Sequence, residues 1–311
     1  MIMSTLHYKL RHVNAFTAQR FGGNPAGVVP EATGLDAETM QAVAREMNLS
    51  ETAFVLPPTV RGADVQIRWF TPTSEVPLCG HATIASFHVL SEEGMHGMRR
   101  SGAYRFRVQT KSGVLRVTVD KQFSGTVIEF QLPMPKFRIL GKLSPLVFKA
   151  LTMQKRDLDI RLPSVKESYL YLPVEKRYRL WSLEPDMDAL EEVCRKLKVL
   201  GVCVLTLDTV EASSAVHSRF FAPSVGVPED PVTGSANGPL GVYLHQFAMH
   251  RGIPLPSLWL PDGRIEYIGE QGDVLKRTGR VKIRLEAGPR KLKSVAIAGE
   301  AVTLMKSDLM L

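Results

Sequence analysis

One segment of this 311-residue chain occurs twice. Arg68-Trp69-Phe70-Thr71-Pro72 is echoed by Arg219-Phe220-Phe221-Ala222-Pro223, and Cys79-Gly80-His81-Ala82-Thr83 by Thr233-Gly234-Ser235-Ala236-Asn237. The loop between the paired motifs is three residues longer in the second copy. Apolar runs follow in each, Ile84 to Leu90 and Pro239 to Leu244. Each copy reads as strand, proline-containing loop, glycine, helix. Two such units about 150 residues apart point to a duplicated domain, not a short-period solenoid. At about 100–200 residues per domain the chain holds two, each long enough to bury its own core.

Local patterns fill in an α/β alternation. Asp36 to Asn48 is expected to be helical, with Asp36 as N-cap and Met40, Val43, Ala44 and Met47 at i, i+3, i+4, i+7. Thr52 to Leu56 reads as a strand stopped by Pro57-Pro58. Val114 to Val119 alternates with period two, and Val127 to Leu132 follows as its partner. Asp186 to Lys198 is a second capped helix, with Met187, Leu190, Cys194 and Leu197 on one face. Gly201 to Leu207 is short and apolar, as a buried strand is. Gly22 to Gly27 reads as a turn between a strand ending at Phe16 and another at Val28-Val29, and Leu132-Pro133-Met134-Pro135 as a crossing between halves.

The net charge of +8 raises the question of an anionic partner. Lys and Arg are scattered, with local clusters at Arg99-Arg100, Arg105, Arg107 and Lys111 and at Arg290-Lys291 with Lys293. No helix-turn-helix, zinc-finger or RNA-binding signature accompanies them, so no nucleic-acid partner is expected. Three cysteines, Cys79, Cys194 and Cys203, are too few for a disulfide scaffold. Met1 to Leu10 lacks a signal-type apolar region, and the apolar stretch around Val199 to Leu207 is too short to span a bilayer. The expectation is a soluble, cytoplasmic protein without a membrane partner.

The two glycine-started helices are the chemical centre of the sequence. A helix N-terminus offers unpaired N–H groups and a partial positive charge, which suits a carboxylate or phosphate. Small residues at Gly80, Ala82, Gly234 and Ala236 let a ligand approach the backbone. Each turn alone reads rather as a tight entry into a core helix; the repetition reverses that and favours a site. His81 and Asp230 lie beside the two turns, and Ser235 takes the place of His81 in the second copy. Glu51 stands at the junction of the first helix and the Thr52 strand. An isolated Glu there is ordinarily solvated, but burial can tune a carboxylic acid to move protons at neutral pH. No H-E-x-x-H, C-x-x-C, dinucleotide fingerprint or Walker loop is present, and His245 and His250 are five apart, so neither metal nor cofactor is expected. Gly234-Ser235-Ala236-Asn237-Gly238 is not a nucleophile elbow, and Ser235 reads as a cap or ligand donor.

Several segments in order resemble the PhzF family, the phenazine-biosynthesis-like proteins of the diaminopimelate epimerase superfamily. They are Val13-Asn14-Ala15-Phe16, Phe21 to Gly27, Asn48 to Phe54, Phe70-Thr71-Pro72, Cys79 to Thr83, Asp230 to Ala236, Glu270-Gln271-Gly272 and Gly279-Arg280. Pro135 to Asp186 contains no segment that can be placed. The resemblance implies two pseudo-symmetric diaminopimelate epimerase-like α/β domains, each a curved sheet around a central helix, with a site between the halves. It implies an N-terminal domain of residues 1–131 plus 295–311, the strand near Val295 to Leu304 returning to it, and a C-terminal domain of residues 132–294.

Carried over motif by motif, the resemblance implies that Glu51 is the general acid/base. Asp230, His81 and Ser235 are implied as substrate-positioning and proton-handling groups, Gly80 and Gly234 as ligand-binding turns. It implies cofactor-free, metal-free isomerisation of a small carboxylated substrate, like the proton shift on trans-2,3-dihydro-3-hydroxyanthranilate, and a homodimer. In the related racemases two cysteines face each other across the substrate. Cys79 stands where the first would be, Thr233 where the second would be, and a hydroxyl is far too weak an acid for that role. An epimerase or racemase using Cys79 with another base, and an inactive binding member, stay open as alternatives.

Overall fold

The computed structural model describes residues 7–288 and 291–311. Arg290 of the basic cluster and Met1 to Leu6 of the N-terminal segment lie outside them. The chain divides into two units, Met1–Gln131 with Ala298–Leu311, and Leu132–Ile297.

Unit 1 runs β1 (His7–Ala15), β2 (Asn24–Val29), α1 (Ala37–Met47), β3 (Glu51–Leu56), β4 (Val65–Phe70), β5 (Glu75–Val76), α2 (Gly80–Glu92), β6 (Gly102–Thr110), β7 (Gly113–Gln122) and β8 (Gly125–Leu132). Asp36 caps α1 by accepting from the Thr39 N–H at 2.8 Å, and Asn48 ends it in the left-handed region. Its apolar face, Met40, Val43 and Ala44, packs on Leu10, Val29, Phe54 and Phe70. Helix α2 has no such polarity. Residues 81–87 and 89–91 are buried around its whole circumference, the signature of a helix enclosed by its fold. It packs against β1, β2, β3 and β7.

Unit 2 runs β9 (Arg138–Ile139), α3 (Pro145–Ala150), β10 (Val165–Lys166), β11 (Tyr169–Pro173), α4 (Arg177–Trp181), α5 (Met187–Leu197), β12 (Gly201–Thr206), β13 (Val216–Ala222), β14 (Val227–Asp230), α6 (Gly234–Tyr243), β15 (Leu258–Trp259), β16 (Ile265–Gln271), β17 (Gly279–Ala287) and β18 (Leu292–Gly299). Asp186 caps α5, whose Leu190, Val193 and Cys194 pack on Leu170, Leu172, Val202, Val204 and Phe221. Helix α6 is buried at every position but Ser235 and packs against β16 and β17. The last strand, β19 (Ala301–Met310), pairs along the full length of β1.

The duplication is visible in strand pairing. In unit 1, β2 and β3 are parallel with α1 between them, β3 and β4 antiparallel, β4 and β5 antiparallel, β4 and β6 parallel with α2 between them, β6 and β7 antiparallel. In unit 2 the same order holds for β11 and β12 across α4 and α5, β12 and β13, β13 and β14, β13 and β16 across α6, and β16 and β17. The helices after Gly80 and Gly234 thus occupy equivalent places within their own units.

Two local expectations are corrected. Asn24 to Gly27 is strand, not turn: β2 begins at Asn24 and is paired on both sides. A Cβ on Gly27 would lie 2.8 Å from Thr52 Oγ1, so the glycine serves close strand contact where it signals a turn locally. Strand β1 stops at Ala15 because Phe16 turns to φ 62°. His245 and His250 also come together, ring centroids 5.6 Å apart, because Leu244 to Ala248 forms a π-turn that stacks residues five apart.

Candidate active site

In unit 1, Glu51, Cys79, Gly80 and His81 meet at the junction of two elements. Glu51 is the first residue of β3, opposite Ala26 of β2, immediately after the left-handed turn that closes α1. Cys79 is the N-cap of α2, in extended conformation, and makes no side-chain cap. The Thr83 hydroxyl donates to the Cys79 carbonyl at 2.6 Å, and the Cys79 side chain caps none of the first N–H groups of the helix. His81 turns inward: its Nε2 lies 3.2 Å from Glu51 Oε2, its Nδ1 3.5 Å from Cys79 Sγ. The His81 side chain is 8% exposed and that of Glu51 18%. The carboxylate is therefore the group of this pair within reach of a ligand.

Burial pushes the His81 imidazole down to about 4, against a hydrogen bond to the Pro25 carbonyl that favours its protonated form. At neutral pH the ring is uncharged. A neutral imidazole carries one N–H; given to Pro25, it leaves the other nitrogen a bare acceptor. Such a pair, carboxyl and acceptor nitrogen, can hold and pass a single proton. A neutral ring is also not the cation that ordinarily activates a catalytic thiolate, so Cys79 lacks that aid here.

In unit 2, Asp230 ends β14, Thr233 is the N-cap of α6, and Gly234 and Ser235 open that helix. The Thr233 hydroxyl donates to Asp230 Oδ2 at 2.6 Å and accepts from Gln271 Nε2 at 3.0 Å. Gln271 also donates to the Asp230 carbonyl, and its Oε1 accepts from the Thr233 N–H and from Asn237 Nδ2. One buried amide thus fixes the whole turn. Gly272 lets Gln271 do this: at φ +90° its added Cβ would lie 2.4 Å from the Arg277 carbonyl. Ser235 Oγ lies 2.9 Å from Tyr169 Oη. Burial raises the Tyr169 phenol, with the Ser235 hydrogen bond opposing and the Asp230 charge adding, so it is a neutral hydrogen-bonding group.

The residues singled out in the sequence thus fall into two sets, one at each repeated turn. Tyr169 lies in the stretch without recognisable motif, and no local signal marks it. Gln271 belongs to a recognised motif, yet only the folded pairing of β16 with β13 reveals its task. Glu51 on one segment and Cys79 with His81 on another offer three ligand types within 4.8 Å of one another, a grouping that no closely spaced ligand motif in the sequence announces.

The repeated glycine-started helices define a two-unit, epimerase-like α/β fold. A sequence profile described as PhzC-PhzF, phenazine biosynthesis-like protein, matches residues 13–307, and the chain belongs to that family. An uncharacterized isomerase of Clostridium acetobutylicum is 34% identical, over 98% of each chain. The crystal structure of a PhzF-family phenazine biosynthesis protein of Bacillus anthracis superposes with a TM-score of 0.85 at 27% identity, covering 98% of this chain and 100% of that one. A hydroxyproline epimerase of Agrobacterium vitis shares the fold at 13% identity, with a TM-score of 0.62 over 99% of this chain and 93% of that one. Among the described residues, no helix is long and apolar enough to cross a membrane.

Proposed function

We propose that this chain is a cofactor-independent isomerase of a small carboxylated metabolite, with Glu51 as its proton carrier. The observation that carries the reading is the Glu51–His81 pair, a reachable carboxylate 3.2 Å from a buried, uncharged imidazole. Glu51 takes a proton from an acidic carbon of the substrate and returns it to another position of the same conjugated system. His81 orients the carboxyl group and accepts its hydrogen bond when it carries the proton. The uncapped start of α2 at Gly80 supplies N–H groups and dipole for the substrate carboxylate. Asp230, Gly234 and Ser235 are assigned as substrate-positioning groups at the second turn.

The thiol alternative gains from Cys79 lying beside His81 and loses from Thr233, whose hydroxyl is committed to Asp230. The experiment is a screen for deuterium uptake from D₂O into small carboxylated metabolites, followed by variants. Glu51→Gln is expected to lower exchange by about 10²–10⁴, the worth of a positioned acid/base, with ligand binding retained. Cys79→Ser is expected to matter much less. Loss of exchange in Cys79→Ser with Glu51→Gln active would transfer the chemistry to the thiol. Binding without exchange across the screen would make the protein a binding member of the family.

A further inference from the structure

The unit 1 cluster has the composition of a zinc site. Cys79 Sγ, a ring nitrogen of His81 and a carboxylate oxygen of Glu51 lie within 4.8 Å of one another. With Zn–S near 2.3 Å and Zn–N and Zn–O near 2.0–2.2 Å, tetrahedral edges are about 3.6 Å for S to N and about 3.4 Å for N to O. Nε2 of His81 faces Glu51 Oε2 at 3.2 Å, while Cys79 Sγ lies 4.0 Å from Nε2 and nearer Nδ1, at 3.5 Å. The N to O edge already fits, and the S to N edge forms when rotation of the cysteine side chain carries Sγ from the Nδ1 side of the ring to the Nε2 side. A hydrogen bond to the Pro25 carbonyl from the ring nitrogen that does not bind the metal would supply the outer-shell support that metal-binding imidazoles ordinarily have. A thiolate in the set selects zinc over magnesium or calcium, which take oxygen ligands.

We propose that Glu51, Cys79 and His81 bind one zinc ion reversibly, through Oε2, Sγ and Nε2, with the fourth position open to water. On binding, the thiol proton leaves to solvent, the sulfur lone pair forms the Zn–S bond, and no oxidation state changes. Binding follows from the geometry alone. Its consequence, that zinc silences the enzyme by taking the carboxylate that carries the proton, rests on the isomerase reading.

The test is a titration of the full chain with Co²⁺, then displacement by Zn²⁺. One equivalent of cobalt is expected to give a near-ultraviolet thiolate-to-metal charge-transfer band and tetrahedral visible bands, erased by zinc. The charge-transfer band is expected to vanish in Cys79→Ser, and His81→Gln to weaken affinity at least tenfold. His250→Ala breaks the other close imidazole pair and is expected to change nothing. Wild-type protein gives a second measurement: one equivalent of zinc is expected to slow alkylation of Cys79 at least tenfold, mapped by mass spectrometry. Absence of the band at saturating cobalt, its persistence in Cys79→Ser, its loss in His250→Ala, or unprotected Cys79 would each overturn the site. Metal binding without inhibition would leave the site standing and remove Glu51 from the mechanism.

Discussion

Glu270 carries a stability effect that can be worked from its surroundings. It sits on β16 directly before Gln271, is fully buried, and accepts from His217 Nδ1 and from the Val210 and Glu211 N–H groups, each at 2.8 Å. Arg280 lies 3.8 Å away and also pairs with Glu211 and Asp273, the other charged groups of the cluster. Burial would raise the Glu270 carboxyl, but these donors and the arginine outweigh it and bring it from 4.5 down to about 2. At about 1.36 kcal/mol per unit, the preference for the ionised form is worth about 3 kcal/mol. The folded value is the depressed one. The contribution is therefore complete above about pH 4.5 and is lost as pH falls toward about 2. Glu270→Gln removes the titration while keeping the size. Urea unfolding followed by tryptophan fluorescence, Trp181 being hydrogen-bonded to His217, reads the difference. The two proteins are expected to differ by about 3 kcal/mol more at pH 7 than near pH 2, since carboxylates outside this cluster cancel in the comparison. A difference that stays constant from pH 7 to pH 2.5 would refute the reasoning.

Thr233→Val keeps the shape of the α6 cap but removes one hydrogen bond each from Asp230 Oδ2 and Gln271 Nε2, the latter keeping its bond to the Asp230 carbonyl; about 1 kcal/mol is expected to be lost, seen as a lower Tm in calorimetry. An unchanged Tm would show that the turn is not held by this hydroxyl. We also propose that the protein is a homodimer, in line with the family resemblance; sedimentation at micromolar concentration is expected to give twice the chain mass, and a single-chain mass contradicts it.

Much of the fold was legible because the signals were local. Asp36 and Asp186 announce caps, and the 3.6-residue periods of α1 and α5 put Met40, Val43, Leu190 and Cys194 on the buried faces. Helices α2 and α6 have no periodicity to read, being apolar on all sides, and only the repetition of their glycine entries reveals them. Strand β2 was hidden by Pro25 and Gly27, whose local turn preference yields to pairing on both sides. The site was half legible. Glycine turns and titratable residues stand in the sequence, whereas the convergence of Glu51 on His81 and of Tyr169 on Ser235 depends on chain segments brought together by pairing.

Strand β19 has a further consequence for how the protein is made. Arg11 donates to the carbonyl of Ser307, 296 residues further on, across the β1–β19 pairing. On the ribosome β1 emerges well before its partner, which is translated only after the whole of Leu132–Ile297. The second unit can therefore complete its core co-translationally while the first still lacks a strand. Until β19 is made, β1 presents one unpaired edge flanked by buried apolar residues, the kind of surface that chaperones hold and that aggregates seed from. The order of synthesis thus inverts the order of folding: the unit whose strands are made earlier is the later to be closed.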